Sequence, residues 1–242
     1  MRHFGLIGES LEHSFSKKYF SQKFKDSHID AEYLNFELDS LSGIKSIMSS
    51  HKVEGFNVTI PYKEEILHYV DEVSQDVKAI GAANCIKISD SKWWAFNTDH
   101  FGFKVGLGDF VPQKAAILGS GGASRAVVYA LQSLNSESIV VSRKPSGNQI
   151  GYDELNSGSY TFDLIVNCSP VGTYPDVSNS PAIKDELLKN ASLVYDLVYN
   201  PPLSLLLNRA KTLGTKTVNG QAMLQAQAEK SWDIWNSELA DL

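Results

Sequence analysis

The residues whose types and spacing could do chemistry begin with a glycine-rich turn. Gly119-Ser-Gly121-Gly122-Ala123-Ser124 follows the apolar run from Lys114 to Leu118 and leads into a helix-forming segment, Ala126 to Leu131. Strand, tight turn and helix N-terminus in that order make a phosphate cradle. Gly119 allows the turn, Gly121 lets backbone approach a pyrophosphate, and Ser124 is small where a third glycine often lets helix and strand pack closely. The unpaired amides of the helix start, with the positive end of its dipole, would face the anion. An ordinary strand-to-helix turn would use the same glycines, so the next stretch matters. A second apolar run, Ser138 to Val141, ends about 20 residues beyond the glycines, where an NAD site usually carries an acid for the ribose 2′-hydroxyl. Here stand Ser142, Arg143 and Lys144. A hydroxyl and two cations suit a 2′-phosphate. The bland alternative is a solvated basic turn.

The first hundred residues hold a second group of polar candidates. Ser14 and Ser16 precede a helix-like segment; Ser16 reads as a helix N-cap or as a ligand, whereas capping explains Ser14 less easily. Lys63 follows Pro61 in what reads as the first turn of a helix, where a cation opposes the helix dipole and the neighbouring Glu64 and Glu65 offset it. Its bland reading is a surface lysine. Asp99 ends an apolar stretch and could cap the helix that follows.

The elements that must position these residues alternate strand and helix. Phe4–Gly8, Ala31–Leu38 and Gly55–Ile60 read as strands, with helical spacing at 17–24, 41–48 and 73–80. Residues 81–88 and 93–96 read as strands around a polar turn at Ser89-Asp-Ser. This first third has no glycine cradle and suits a substrate-binding α/β domain. Beyond the cradle, 162–169 and 193–199 read as buried strands, 203–212 as a helix stopping near Gly214, and 216–218 as a short strand. Together they complete a doubly wound parallel sheet, where ligands bind beyond the carboxyl ends of the strands. Leu224, Ala228, Trp232, Trp235 and Leu239 share one face of a last helix, and Gln227 lies one residue off that stripe.

At 242 residues the chain has room for two modest domains or one large one, and its composition is that of an ordinary soluble protein. The formal net charge of −6 argues against a general nucleic-acid binder. Cys85 and Cys168 are far apart and have no metal-ligand spacing, so neither a disulfide framework nor a zinc site is implied, and reduced, buried thiols are expected. The apolar start is too short for a signal peptide, and no run reaches membrane-spanning length. A cytoplasmic protein without membrane or nucleic-acid partners is the economical reading.

Several stretches together resemble the shikimate dehydrogenase family over nearly the whole chain. They are His13-Ser14-Phe15-Ser16, Asn57-Val-Thr59-Ile-Pro61-Tyr-Lys63, Gly81-Ala-Ala-Asn84, Asn97-Thr98-Asp99, Gly119-Ser-Gly-Gly-Ala-Ser124, Asp196-Leu-Val-Tyr199 and Gly220-Gln-Ala-Met-Leu-Gln-Ala-Gln227. The resemblance implies an N-terminal α/β substrate domain over 1–98 and a Rossmann-like NADP-binding domain over 99–219. A C-terminal helix, 220–242, would return to the substrate domain. It further implies that Ser14, Ser16, Asn57, Thr59, Asn84, Asp99 and Gln227 bind the hydroxyls and carboxylate of shikimate, that Tyr199 approaches the substrate, and that Lys63 and Asp99 are the catalytic pair. Gly119, Gly121, Gly122, Ala123 and Ser124 match the cofactor turn. Arg143, flanked by Ser142 and Lys144, matches the 2′-phosphate partner, with Leu197 and Gly220 near the nicotinamide. Two stretches depart from the family pattern: Lys17 stands where proline often follows the second serine, and Ser142-Arg143-Lys144 where Asn-Arg-Thr is usual.

The activity so implied is reversible, metal-free, NADP-dependent reduction of 3-dehydroshikimate to shikimate, by a monomer or homodimer with small-molecule partners. Lysine can supply charge and a proton at a ketone oxygen, with Asp99 orienting it. The alternatives are a paralogue acting on quinate or a related polyhydroxy acid, and a catalytically idle NADPH or shikimate sensor.

Overall fold

The computed structural model describes residues 1–12 and 14–239, and within it the chain divides into two compact units, Met1–Thr98 with the residues from Ala228 onward, and Asp99–Gln227. The first unit is built on a six-stranded mixed sheet. Its strands are β1 (Arg2–Gly8), β2 (Ala31–Glu37), β3 (Val53–Val58), β4 (Glu72–Val73), β5 (Cys85–Ser89) and β6 (Lys92–Phe96), in the order β2-β1-β3-β5-β6-β4. β1 runs parallel to both β2 and β3, while β5 lies antiparallel to β3 and β6. The β5–β6 turn places Asp90 and Ser91 at φ of 51° and 63°, a left-handed pair whose twist matches that of the flanking strands.

Strand alternation sorts the side chains of this sheet onto two faces. Phe56 and Val58 enter one core with Ile7, Phe36 and Met48. Phe4, Leu6, Tyr33 and Cys85 enter the other, with Phe20 and Phe24 of α1 (Phe15–Asp26) and with Ile234 and Trp235 of the last helix, α9 (Gln221–Asn236). The approach is close. A β-carbon on Gly55 would lie 2.4 Å from the Trp235 ring, and the Trp235 indole donates to the Ile86 carbonyl at 3.0 Å. Lys87 is buried and its ammonium donates to the carbonyls of Ile234 and Ser237, so a cation satisfies the negative end of α9. α2 (Ile44–Ser50) and α3 (Gln75–Ile80) complete the unit.

The second unit is a parallel sheet of β7 (Lys114–Leu118), β8 (Glu137–Val141), β9 (Leu164–Asn167), β10 (Leu193–Asp196) and β11 (Lys216–Asn219), in the order β11-β10-β9-β7-β8. It is doubly wound, as expected. Ala115 and Ile117 face α4 (Asp99–Leu107) and α5 (Gly122–Ser133), whereas Ala116 and Leu118 face α6 (Tyr152–Leu155), α7 (Asp185–Asn190) and α8 (Leu205–Thr212). Gly106 lets α4 lie against β10, because a β-carbon there would stand 1.9 Å from the Tyr195 hydroxyl oxygen.

Three local expectations change. Residues 61–64 do not begin an α-helix. The Ile60–Pro61 peptide is cis, a 3₁₀ turn runs from Glu65 to His68, and the Lys63 carbonyl accepts from the Ala83 amide at 2.8 Å instead of propagating a helix. The buried stripe of α9 is Met223, Gln227, Ala228, Ser231, Ile234 and Trp235, with Leu224 and Trp232 only half-buried, and Leu239, also half-buried, lies beyond the end of the helix at Asn236. Gln227 therefore lies within the stripe and not beside it. The boundary expected before residue 220 also differs from the observed division at 228, since Met223 packs into the core of the second unit. Among the described residues no helix is long and apolar enough to cross a membrane, and no group of His, Cys, Asp and Glu could hold a metal ion. Cys85 and Cys168 are both free; Cys85 is buried and Cys168 half-buried.

Candidate active site

In the first unit the capping roles of the two serines are reversed from expectation. Ser14 is the N-cap of α1, its hydroxyl accepting from the Lys17 amide at 3.2 Å, because the helix begins at Phe15. Ser16 lies inside that first turn and is buried, with its hydroxyl near the Tyr33 phenol. Burial raises the Tyr33 pKa well above the usual tyrosine value, and the Ser16 hydroxyl offsets part of that rise. His13 lies outside the described residues.

The amides of this unit form a chain. Tyr33 donates to Asn57 Oδ1 at 2.8 Å, and Asn57 Nδ2 lies 3.1 Å from the Asn84 carbonyl and 2.9 Å from Ser231 Oγ. Asn84 Nδ2 donates to Thr98 Oγ1 at 2.9 Å while its Oδ1 accepts from the Thr98 amide at 2.6 Å. Thr98 Oγ1 stands 3.3 Å from Ser231 Oγ. Asn57, Asn84, Thr98 and Ser231 are all buried. Thr59, half-buried just past the end of β3, donates its amide to Ile7, and Lys63 is half-buried in the turn that its carbonyl ties to Ala83.

In the second unit Gly119 leaves β7 at φ 117°, a conformation that favours glycine, and a β-carbon there would come within 3.1 Å of the Ser169 amide. Gly121 is the N-cap of α5, with nothing within 4 Å of where its β-carbon would be. Gly122 and Ala123 open the helix, and Ser124 is buried with its hydroxyl on the Gly119 carbonyl at 2.7 Å, closing the turn on itself. The turn lies at the carboxyl end of β7, beside β9, where strand order reverses and doubly wound sheets bind their ligands. A bare, open Gly121 and a twelve-residue helix start fit a pyrophosphate.

At the end of β8, Ser142 is buried, 3.3 Å from Ser120 Oγ, and accepts the Lys144 amide at 3.3 Å; Arg143 and Lys144 are exposed. No acid stands at that strand end, so a 2′-phosphate fits there and the usual NAD acceptor is lacking. Gly220 meets Leu197 backbone to backbone: a β-carbon would be 2.0 Å from the Leu197 carbonyl oxygen. Tyr199 is half-buried, and burial raises its pKa. Asp99 is buried as the first residue of α4 and so does not cap it from outside. Gln227 is buried, with Nε2 on the Leu224 carbonyl at 2.9 Å.

The expected residues thus gather in two groups. Ser14, Ser16, Asn57, Thr59, Lys63 and Asn84 belong to the first unit, and the cradle, the basic turn, Leu197, Tyr199, Gly220, Asp99 and Gln227 to the second. Lys63 and Asp99 fall in different units. Sequence reasoning missed Tyr33, Ser231 and Ser120. Ser231 was findable, since it lies four residues beyond Gln227 on the same helix face.

Fold and residues together define a two-domain α/β protein of the dinucleotide-binding class. The family model for the shikimate dehydrogenase substrate binding domain matches residues 6–86. A shikimate dehydrogenase (NADP(+)) of Methanococcus maripaludis is 38% identical, over 98% of this chain and 92% of its own. Shikimate dehydrogenase 1 of Peptoclostridium difficile superposes with a TM-score of 0.89 at 35% identity, over 99% of this chain and 94% of its own. A shikimate dehydrogenase solved in complex with NADP+ gives a TM-score of 0.87 at 34% identity, over 98% and 90%. The chain belongs to the shikimate dehydrogenase family.

Proposed function

We propose that this protein catalyses the reversible NADP-dependent reduction of 3-dehydroshikimate to shikimate, a cytoplasmic step toward aromatic amino acids. The observation that carries the reading is similarity to a shikimate dehydrogenase (NADP(+)) over 98% of the chain at 38% identity. NADPH, when bound, supplies the hydride that reaches the ketone carbon. The chain's residues do the rest. Gly119, Gly121, Gly122, Ala123 and Ser124 hold the pyrophosphate on the start of α5, and Arg143 with Ser142 and Lys144 holds the 2′-phosphate. Leu197 and Gly220 lie near the nicotinamide.

On the substrate side, Ser14, Ser16, Thr59, Asn84, Gln227 and Tyr199 offer neutral hydrogen-bonding groups to hydroxyls and a carboxylate. Lys63 holds a proton toward the ketone oxygen and stabilises the alkoxide as it forms, and Asp99 orients the lysine and a substrate hydroxyl. Ketone, NADPH and one proton give alcohol and NADP+. The test is turnover of purified protein with 3-dehydroshikimate and NADPH, followed by loss of NADPH absorbance. Turnover of 3-dehydroshikimate in preference to the quinate-series ketone supports the proposal. Preference for the latter, or binding of both ligands without turnover, rejects it.

A further inference from the structure

The buried amide chain of the first unit has more members than ligand binding explains. Hydrogen-bond chemistry fixes its orientation. A carbonyl can only accept, so the Asn57 atom facing the Asn84 carbonyl is Nδ2, and the Oδ1 on the other side must receive the Tyr33 hydroxyl proton. A backbone amide can only donate, so the Asn84 atom 2.6 Å from the Thr98 amide is Oδ1. Both hydrogens of Asn57 Nδ2 are then engaged, on the Asn84 carbonyl and on Ser231 Oγ. Asn57 is 4% exposed, and donating to a ligand would require breaking a buried hydrogen bond. The Asn84 carbonyl also accepts from the Val58 amide at 2.9 Å, so the main chain of Asn84 is clamped to β3 twice.

We infer that Tyr33 and Ser231 are positioning residues for Asn84, acting through Asn57, and that Asn57 is a brace and not a substrate ligand. The inference rests on the proposed reading of Asn84 as a substrate-binding residue. Tyr33 comes from β2, Asn57 from β3 and Ser231 from α9, so three separate elements fix one amide. Ser231 acts twice: it accepts from Asn57 and meets Thr98, whose main chain and hydroxyl set the Asn84 side chain. Removing either hydroxyl leaves a buried Asn57 atom without its partner and lets Asn84 drift. Small displacements of a positioning group are costly to recognition.

The test is a kinetic cycle on the full-length enzyme. Tyr33→Phe and Ser231→Ala should each raise KM for shikimate about two- to ten-fold, the range for one net hydrogen bond, with KM for NADP+ unchanged. Ser231→Thr, which restores a hydroxyl, should recover most of the loss. In an Asn84→Ala background Tyr33→Phe, Ser231→Ala and Asn57→Ala should add little, because their route to substrate is gone. Further loss from Asn57→Ala in that background would make Asn57 a ligand and overturn the inference. So would a parallel rise of both Michaelis constants, which marks general damage. Unchanged shikimate KM in Asn84→Ala alone would instead overturn the reading beneath it. If the helix variants fail to fold, calorimetric titration of Tyr33→Phe with shikimate decides alone: unchanged affinity rejects the inference.

Discussion

The Ala83 amide donates to the Lys63 carbonyl at 2.8 Å, which ties the turn carrying Lys63 to the residue immediately before Asn84. The link uses main chain only, so the lysine side chain can be removed without loosening it. Lys63→Ala is therefore expected to leave that main-chain link in place. Turnover should fall about 10²- to 10⁴-fold, the range for a general acid–base group, with a smaller effect on substrate binding. Lys63→Ala/Asp99→Asn should be little slower than the slower single variant, since groups serving one step are not additive. Unchanged turnover in Lys63→Ala, or losses that multiply, would return Lys63 to a surface role.

Cofactor choice should depend on Arg143. It is exposed at the end of β8, and the buried Ser142 hydroxyl holds the turn that bears it by accepting the Lys144 amide. Arg143→Ala should raise KM for NADPH about ten-fold, as loss of one charge-assisted bond near the lower end of its range implies, and leave KM for NADH nearly unchanged. Equal effects on the two cofactors would remove the 2′-phosphate assignment.

Two glycines should fail in different ways. A β-carbon on Gly121 meets nothing within 4 Å, so Gly121→Ala should fold normally and weaken NADPH binding by obstructing the pyrophosphate. A β-carbon on Gly220 would be 2.0 Å from the Leu197 carbonyl oxygen, backbone against backbone, and no rotamer relieves it. Gly220→Ala should therefore lose about 1–3 kcal/mol of stability, the usual cost of overpacking. Denaturant melts of the two variants separate the roles; equal stability would contradict this.

Much of this was legible because periodicity and glycine chemistry are local. The cradle from Gly119 to Ser124, the empty acid position at 142–144 and the alternation of Phe56, Asn57 and Val58 all stand in consecutive residues. What failed depended on partners distant in sequence. Pro61 with Glu64 and Glu65 reads as a helix start, yet Ala83, twenty residues on, takes the Lys63 carbonyl. Ser16 reads as the cap because it precedes the lysines, yet α1 begins at Phe15, Ser16 is buried beside Tyr33 of β2, and Ser14 caps instead. Gln227 looks off-stripe only while the stripe is drawn through Leu224 and Trp232; α9 presents Ser231 and Trp235 to the sheet. The short helices α6 and α7, only four and six residues long, offer too few turns for a helical period to show.

Asp196 makes a prediction about pH. Its carboxylate is fully buried at the end of β10, accepting from Asn167 Nδ2 at 2.9 Å, the Val198 amide at 3.0 Å and the Ser204 hydroxyl at 2.5 Å. It thus holds the segment that bears Leu197 and Tyr199 and steadies Ser204, which caps α8. Burial raises its pKa above the usual aspartate value, and the three hydrogen bonds oppose that rise without cancelling it. As pH climbs past about 4, the unfolded chain ionises first while the folded chain keeps its proton. The folded state then binds more protons, so the Asp196 contribution to stability falls with rising pH until the raised native value is passed, and is level beyond it. Asp196→Asn keeps the shape and can serve the same three partners, because its amide can donate to the Ser204 oxygen. The parent should lose stability relative to this variant as pH rises through that window, measured as the difference between their unfolding midpoints. A parent that instead gains on Asp196→Asn as pH rises would mean that the hydrogen bonds outweigh burial and that the native carboxyl titrates below its ordinary value.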